Sequence, residues 1–189
     1  MSRLTAFALW AAVVLFANGA YADSPADRFQ RIMPEIQSAL MAQDLVKTLR
    51  TYNNSRQDMT QAYIDGLEAT WQAELNANIQ PLITGIVKNI TAMRMRKVIR
   101  DTGRVISEIN VIDAKGVSIA QTTVFPHIWQ GSAAEAKDIA AANPNMVLIS
   151  NESDASNQSR QLEAFFPVTD PDTNELIGAV ILVIEAESF

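Results

Sequence analysis

The sequence contains no cysteine and only one histidine, His127. The lack of cysteine excludes disulfide bonds, thiolate metal sites and cysteine nucleophiles. A single histidine also argues against zinc, because protein zinc sites usually draw two or more His or Cys ligands. A Ser-His-Asp triad would need His127 as its base, but the chain has no G-x-S-x-G motif. We therefore expect no metal, no cofactor and no enzymatic activity.

Calcium held by carboxylates alone is an alternative that residue types leave open. Two segments, "NESDASN" at 151–157 and "TDPDTNE" at 169–175, are rich in side-chain oxygens. Neither has the central glycine and twelfth-position glutamate of an EF-hand loop. We interpret both as solvated turns, in which Asp154 and Asp170 cap the local backbone.

Positive charge is in the minority. The chain has 15 Lys and Arg against 21 Asp and Glu, a formal net charge of −6. Nonspecific nucleic-acid binding needs a basic surface. We therefore expect no nucleic-acid partner.

Long apolar runs are absent except at the N terminus. Arg3 precedes an apolar segment at 6–17, and a small-x-small triplet, "AYA", follows at 20–22. This order is typical of a secretory signal peptide. We expect residues 1–22 to be removed and the mature protein to be periplasmic. An uncleaved anchor is the alternative, although the apolar segment is shorter than the ~20 residues of a membrane span.

Residues 23–103 show the apolar spacing of helices. Three stripes run over 36–52, 59–75 and 82–98. Pro34 and Pro81 are placed as first-turn prolines, and Gly103 as a terminating glycine. We expect these helices to pack on a sheet, with a coiled-coil-like dimer interface as the alternative.

Residues 104–189 have strand character. "VISEINVID", the turn "DAKG" and "VSIAQTTV" predict a hairpin. A short helix is expected at 132–142, where Ser132 and Glu135 form a capping box. Three further strands are expected at "MVLIS", "RQLEAFFPV" and "LIGAVILVIEAE", with the polar loop 151–159 between the first two. Hairpin connections imply an antiparallel sheet, so the predicted fold is an α+β domain of helices on a sheet.

Several motifs of this second half occur in a familiar order. The first strand ends in Asp113 and its turn contains Gly116. "FPHIWQGSAAEAKDIAA" puts aromatic residues ahead of a short helix, and the closing strands contain "PVTD" and "IG". In this order, and with long helices before them, these motifs resemble the PAS-like periplasmic sensor fold known as the PDC or Cache domain, in its single-Cache form.

The resemblance implies a bacterial module that senses a small ligand or ion. Such domains usually precede a kinase, a cyclase or a chemotaxis signalling region, and we expect no output region of that kind here. We therefore expect it to signal through a membrane receptor such as a histidine kinase, a diguanylate cyclase or a chemoreceptor. The alternative is a ligand-independent interaction or docking subunit of an envelope signalling complex.

The candidate ligand residues are Phe125, His127, Trp129, Gln130 and Arg160. The first three alternate, so an extended segment would project them to one face. The resemblance implies that this segment borders the ligand cavity. Amino-acid-binding relatives carry Arg-x-Trp-Tyr there, where this chain has "HIWQ". The plainer alternative is that the two aromatics fill the core and His127 bonds a backbone carbonyl.

Arg160 opens a strand that we expect to face the same cavity. Arginine is the natural bidentate partner of a carboxylate, so an inward Arg160 predicts a carboxylate or amino-acid-like ligand. His127 would then make recognition sensitive to pH. A surface ion pair between Arg160 and Glu163 is the alternative.

Overall fold

The structure is a computed structural model that describes residues 25–42, 44–103, 105–131, 148–153 and 160–185. The predicted signal peptide at 1–22 and the predicted short helix at 132–142 lie outside these residues. The polar loop predicted at 151–159 is described only to Ser153, as the end of a strand. None of the helices in the described part is long and apolar enough to cross a membrane.

The order of the elements confirms the α+β prediction, with helices first and strands after them. The described helices are α1 (Pro25–Met41), α2 (Leu45–Ser55), α3 (Gln61–Leu75), α4 (Pro81–Val87) and α5 (Ile90–Asp101). The described strands are β1 (Ile106–Asp113), β2 (Ser118–Gln121), β3 (Leu148–Ser153), β4 (Arg160–Thr169) and β5 (Leu176–Glu185). They form one sheet in the order β2-β1-β5-β4-β3, and every neighbouring pair is antiparallel.

Two of the three predicted helical stripes are each divided between two helices. The first is interrupted at Asp44, whose φ of 55° places it in the left-handed region. The third is interrupted before Asn89, whose side chain accepts from the Ala92 N–H at 2.9 Å and so begins α5. Pro34 lies inside α1, not in its first turn as predicted, because that helix begins nine residues earlier. Pro81 does open α4, as predicted.

The larger hydrophobic cluster, here the first cluster, joins helices α1, α2 and α5 to one face of the sheet. Its buried helical members are Ile36, Leu40, Leu45, Leu49, Ala92, Met95 and Val98. Its strand members alternate along the chain, as in Ile109 and Val111 of β1. We call the side of the sheet that carries these two residues the first face, and the opposite side the second face.

Helix α2 is also fastened to two turns of the sheet by polar side chains. Arg50 donates to Asp170 in the β4–β5 turn, with Nε–Oδ2 at 2.6 Å. Arg56 donates to the fully buried Asp113 at the end of β1, at 2.6 Å. Asp170 also accepts from the backbone N–H of Asp172, which confirms its predicted turn-capping role.

The second cluster is smaller and lies beside the start of β2. It joins α3 and α4 to the segment that follows β2. Its buried members are Ile64, Trp71, Ile83, Ile86, Val87, Val117 and Ile128. The segment pairs with the residues at the start of β2. Val117 and Trp129 form an isolated antiparallel bridge, and the Ser118 N–H donates to the Ile128 carbonyl at 2.8 Å.

Candidate functional site

The candidate site is the segment 122–131 together with the strand residues it touches. Its backbone is held at two carbonyls by α3, since Trp71 Nε1 donates to the Phe125 carbonyl at 3.0 Å and Gln72 to the Pro126 carbonyl at 2.7 Å. Trp71 is fully buried. The aromatic ring and the amide therefore fix the first half of the segment against the second cluster.

Glu68 holds the second half of the segment. One carboxylate oxygen lies 2.7 Å from His127 Nδ1, and the other accepts from the backbone N–H groups of Ile128 and Trp129 at 3.1 and 3.2 Å. Gln72 donates to the same carboxylate at 2.8 Å. We call this group of contacts the Glu68 latch.

The latch changes the acidity of its carboxyl group. Burial acts to raise the pKa of Glu68, but the hydrogen bonds from His127, Gln72 and the two backbone N–H groups outweigh it and lower the pKa below its ordinary value. Hydrogen bonds to the ionised form favour that form. The segment is therefore held by a charged carboxylate, and such bonds are stronger than neutral ones.

The five predicted residues occupy different environments. Phe125 is buried, whereas 63% of the His127 side chain is exposed. Trp129 is half-buried against the second cluster and donates from Nε1 to the Lys115 carbonyl at 3.1 Å. Gln130 is exposed and donates to the His127 carbonyl. The predicted common face is therefore absent, because the segment turns and is pinned separately at each residue.

Arg160 begins β4, where its backbone pairs with that of Ser153 in β3. Its side chain lies outside the described part of the structure. His127 does not bond the backbone carbonyl of the plainer sequence interpretation, since its Nδ1 meets the Glu68 carboxylate.

Two buried amides face each other across the strands next to the segment. Gln121 of β2 pairs with Asn110 of β1, so their side chains lie on the same face of the sheet. Gln121 has partners for both of its amide atoms: it donates to Ser118 Oγ at 3.0 Å and to the His127 carbonyl at 3.2 Å, and accepts from Phe125 N–H at 3.1 Å. It thereby positions the candidate segment on β2.

Asn110 is the opposite case. Its exposure is 0%, and neither its amide nitrogen nor its amide oxygen has a hydrogen-bond partner in the structure. Most buried polar side-chain atoms in proteins have a partner, and leaving one without costs about 1–3 kcal/mol. An amide with both atoms unsatisfied is therefore a costly feature in the middle of the sheet.

A groove beside the second cluster adjoins Ile128 of the candidate segment and has both apolar and polar walls. It has a volume of about 500 Å³ and is lined by Met59, Tyr63, Leu67, Leu82 and Ile86, among others. Tyr63 is 58% exposed. No group of three or more potential metal-binding side chains lies within the residues that the structure describes.

Glu68, Gln121 and Asn110 were missed by the sequence interpretation. Glu68 has no local signal, because its contacts lie some sixty residues further along the chain. Asn110 does have a local signal, because it lies among the Val and Ile residues of "VISEINVID". A polar side chain that is buried there must find a hydrogen-bond partner or destabilise the fold.

Comparison with known proteins does not identify the chain. No protein-family model matches it, and no curated protein matches it.

Proposed function

We propose that this protein is a secreted periplasmic single-Cache sensor, which binds a small ligand and signals through a partner membrane receptor. A histidine kinase, a diguanylate cyclase or a chemoreceptor is the kind of receptor that we expect. The proposal rests on the sheet and on how the helices are distributed over it.

The observation that carries the proposal is the packing of three described helices on one face of a five-stranded antiparallel sheet. The strand order β2-β1-β5-β4-β3 is compatible with a PAS-like arrangement. Helices α1, α2 and α5 form the first cluster on one face. The other face carries the Asn110–Gln121 pair, and the segment 122–131 contacts it through Gln121. A sheet face with buried polar groups and an adjacent segment suits small-molecule recognition.

The proposed mechanism is a population shift of the segment 122–131. The Glu68 latch defines one position of this segment, with His127, Ile128 and Trp129 bound to a single carboxylate. A ligand that binds better when the latch is open, or when it is closed, shifts the balance by its difference in affinity. The receptor then reads the position of the segment from its exposed residues, His127 and Gln130.

A thermal-shift screen of the purified protein tests the proposal. The screen covers small carboxylates, amino acids and amines. A ligand at about 100 times its Kd stabilises the folded state by ~2.7 kcal/mol, which raises the midpoint of unfolding measurably. If no compound class moves the midpoint, the sensor proposal fails.

A ligand-independent docking subunit is the second candidate, and the groove beside Tyr63 favours it. An exposed aromatic ring among methionine and leucine side chains suits a protein contact better than a polar metabolite. A screen without any shift, together with receptor binding that is lost on Tyr63→Ser and is unchanged by metabolites, would select this candidate.

A further inference from the structure

We infer that Asn110 is the recognition group for the ligand, and that the ligand is a small organic amine with an adjacent hydrogen-bond acceptor. This inference rests on the proposed sensor function and gives the site its chemistry. Asn110 lies in the interior of β1, with Gln121 and Ile181 opposite it on the two neighbouring strands. It points to the second face of the sheet, away from the first cluster.

The neighbouring protein groups leave the Asn110 amide available. Gln121, which pairs with Asn110 across the strands, already uses both amide N–H groups and its oxygen on Ser118, His127 and Phe125. Ile112 on β1 and Ile181 opposite on β5, which lie beside Asn110 on the same face, are apolar and offer it no side-chain hydrogen bond. A fully buried amide among such residues offers a donor and an acceptor side by side, and a ligand with a complementary pair satisfies both.

The charged residues of the second face favour a cationic ligand. Glu108 precedes Asn110 by two residues on the same strand and therefore on the same face, roughly 7 Å away. Glu108 and Glu163 both lie opposite Val183, one from each side. The register positions of the described second face contain no Lys or Arg. A ligand carboxylate would be repelled there, whereas an ammonium group is attracted.

These features define the ligand chemistry. The ammonium group donates to the Asn110 carbonyl and lies towards Glu108, which makes no ion pair in the described part of the chain. An acceptor one or two bonds further along, a carbonyl or hydroxyl oxygen, receives the Asn110 amide N–H. Amino amides and amino alcohols have this pattern, and simple carboxylates do not.

The experiment compares four probes on the purified protein by thermal shift and isothermal titration. Glycinamide and ethanolamine carry the cation and the acceptor, acetamide carries the acceptor alone, and acetate carries the opposite charge. We expect the two amines to raise the unfolding midpoint and acetate to leave it unchanged. Acetamide should bind about tenfold or more weakly than glycinamide, because it lacks the charge-assisted bond.

The decisive variant is Asn110→Leu, which is close in size and removes both unsatisfied atoms. We expect its midpoint without ligand to equal or exceed that of the wild type, while its affinity for glycinamide falls at least about tenfold. Asn54→Leu replaces an exposed asparagine of α2 and should change neither quantity. Glu108→Gln should weaken the binding of glycinamide and leave the binding of acetamide unchanged.

Three outcomes would overturn the inference. If Asn110→Leu binds glycinamide with wild-type affinity, Asn110 takes no part in recognition. A lowered midpoint of that variant without ligand would mean that protein groups already satisfy the amide. A shift of the wild type by carboxylates but by neither amine would overturn the ligand class and leave the sensor proposal standing, whereas the absence of any shift by any compound class would end both.

Discussion

The first and second clusters close their hydrophobic cores by different means. In the first, three helices bury aliphatic side chains against alternate residues of the central strands. In the second cluster, carboxylates at the edge accept hydrogen bonds from backbone N–H groups. Glu74 accepts from the N–H groups of Leu82 and Ile83 at the start of α4, and Glu68 accepts from those of Ile128 and Trp129. Ion pairs at Asp113 and Asp170 also fasten α2 beside the first cluster, so the contrast lies in the segment 122–131, whose backbone is held by the Glu68 carboxylate.

The difference bears on the proposed sensor function, because it indicates which region a ligand would displace more easily. Apolar burial scales with area and has no direction, so a close-packed core resists small displacements. A carboxylate that holds backbone N–H groups can be displaced by a proton or by a competing polar group. We therefore expect the segment held by Glu68 to be displaced more easily than the helices of the first cluster.

The largest effect is expected from Trp71→Ala, which tests whether the second cluster supports the fold at all. Trp71 is fully buried and anchors the Phe125 carbonyl. Truncation of a buried tryptophan costs about 3–5 kcal/mol. Urea denaturation should show this loss, and Leu49→Ala in the first cluster should cost about 2–5 kcal/mol. A loss below about 1 kcal/mol for Trp71→Ala would show that the second cluster is not part of the cooperative unit.

A slightly smaller effect is expected at the margin of the first cluster, where an ion pair replaces apolar contact. Asp113→Ala leaves the Arg56 guanidinium without its partner, and 18% of that side chain is exposed. Removing one member of a buried pair costs about 3–5 kcal/mol, and the partial exposure of Arg56 favours the lower end. The measurement is the free energy of unfolding in urea, with Asp172→Ala as a control, because 76% of that carboxylate side chain is exposed.

The sequence predicted the sheet well because each strand is defined by its own residues. "VISEINVID" and "LIGAVILVIE" are rich in Val and Ile and are bounded by turn residues, and both contain strands of the structure. The break at Asp44 was not predictable, since the apolar residues on either side, Leu40 and Leu45, join one cluster and preserve the stripe. Periodicity reports the buried face of a helix and not the continuity of its axis.

The candidate site was only partly predictable, for a different reason. The segment around His127 has an unusual composition, but its position depends on Glu68 and Trp71, which precede it by more than fifty residues. Contacts of this kind depend on tertiary packing and leave no local pattern. The predicted alternation of Phe125, His127 and Trp129 assumed an extended segment. In the structure the segment turns, and each of these residues is held by its own hydrogen bond.

The smallest effect, and the most specific to the second cluster, is expected from Glu68→Gln. This variant keeps the shape of the side chain but removes the charge, so the bonds to His127 and to the Ile128 and Trp129 N–H groups weaken. We expect a loss of about 1–3 kcal/mol at pH 7. Because the folded-state pKa of Glu68 is lowered, its contribution is complete above the unfolded-state value of 4.5 and is lost as the pH falls through the folded-state pKa.

The pH dependence separates the latch from ordinary packing. The difference in unfolding free energy between wild type and Glu68→Gln should be present where the carboxyl group is ionised in both states and should shrink as the pH falls below 4.5. Trp71→Ala removes no titrating group, so its difference from the wild type should change much less over the same range. A Glu68→Gln difference that persists at pH 3 would mean that shape and not charge holds the segment, and the contrast between the two clusters would then disappear.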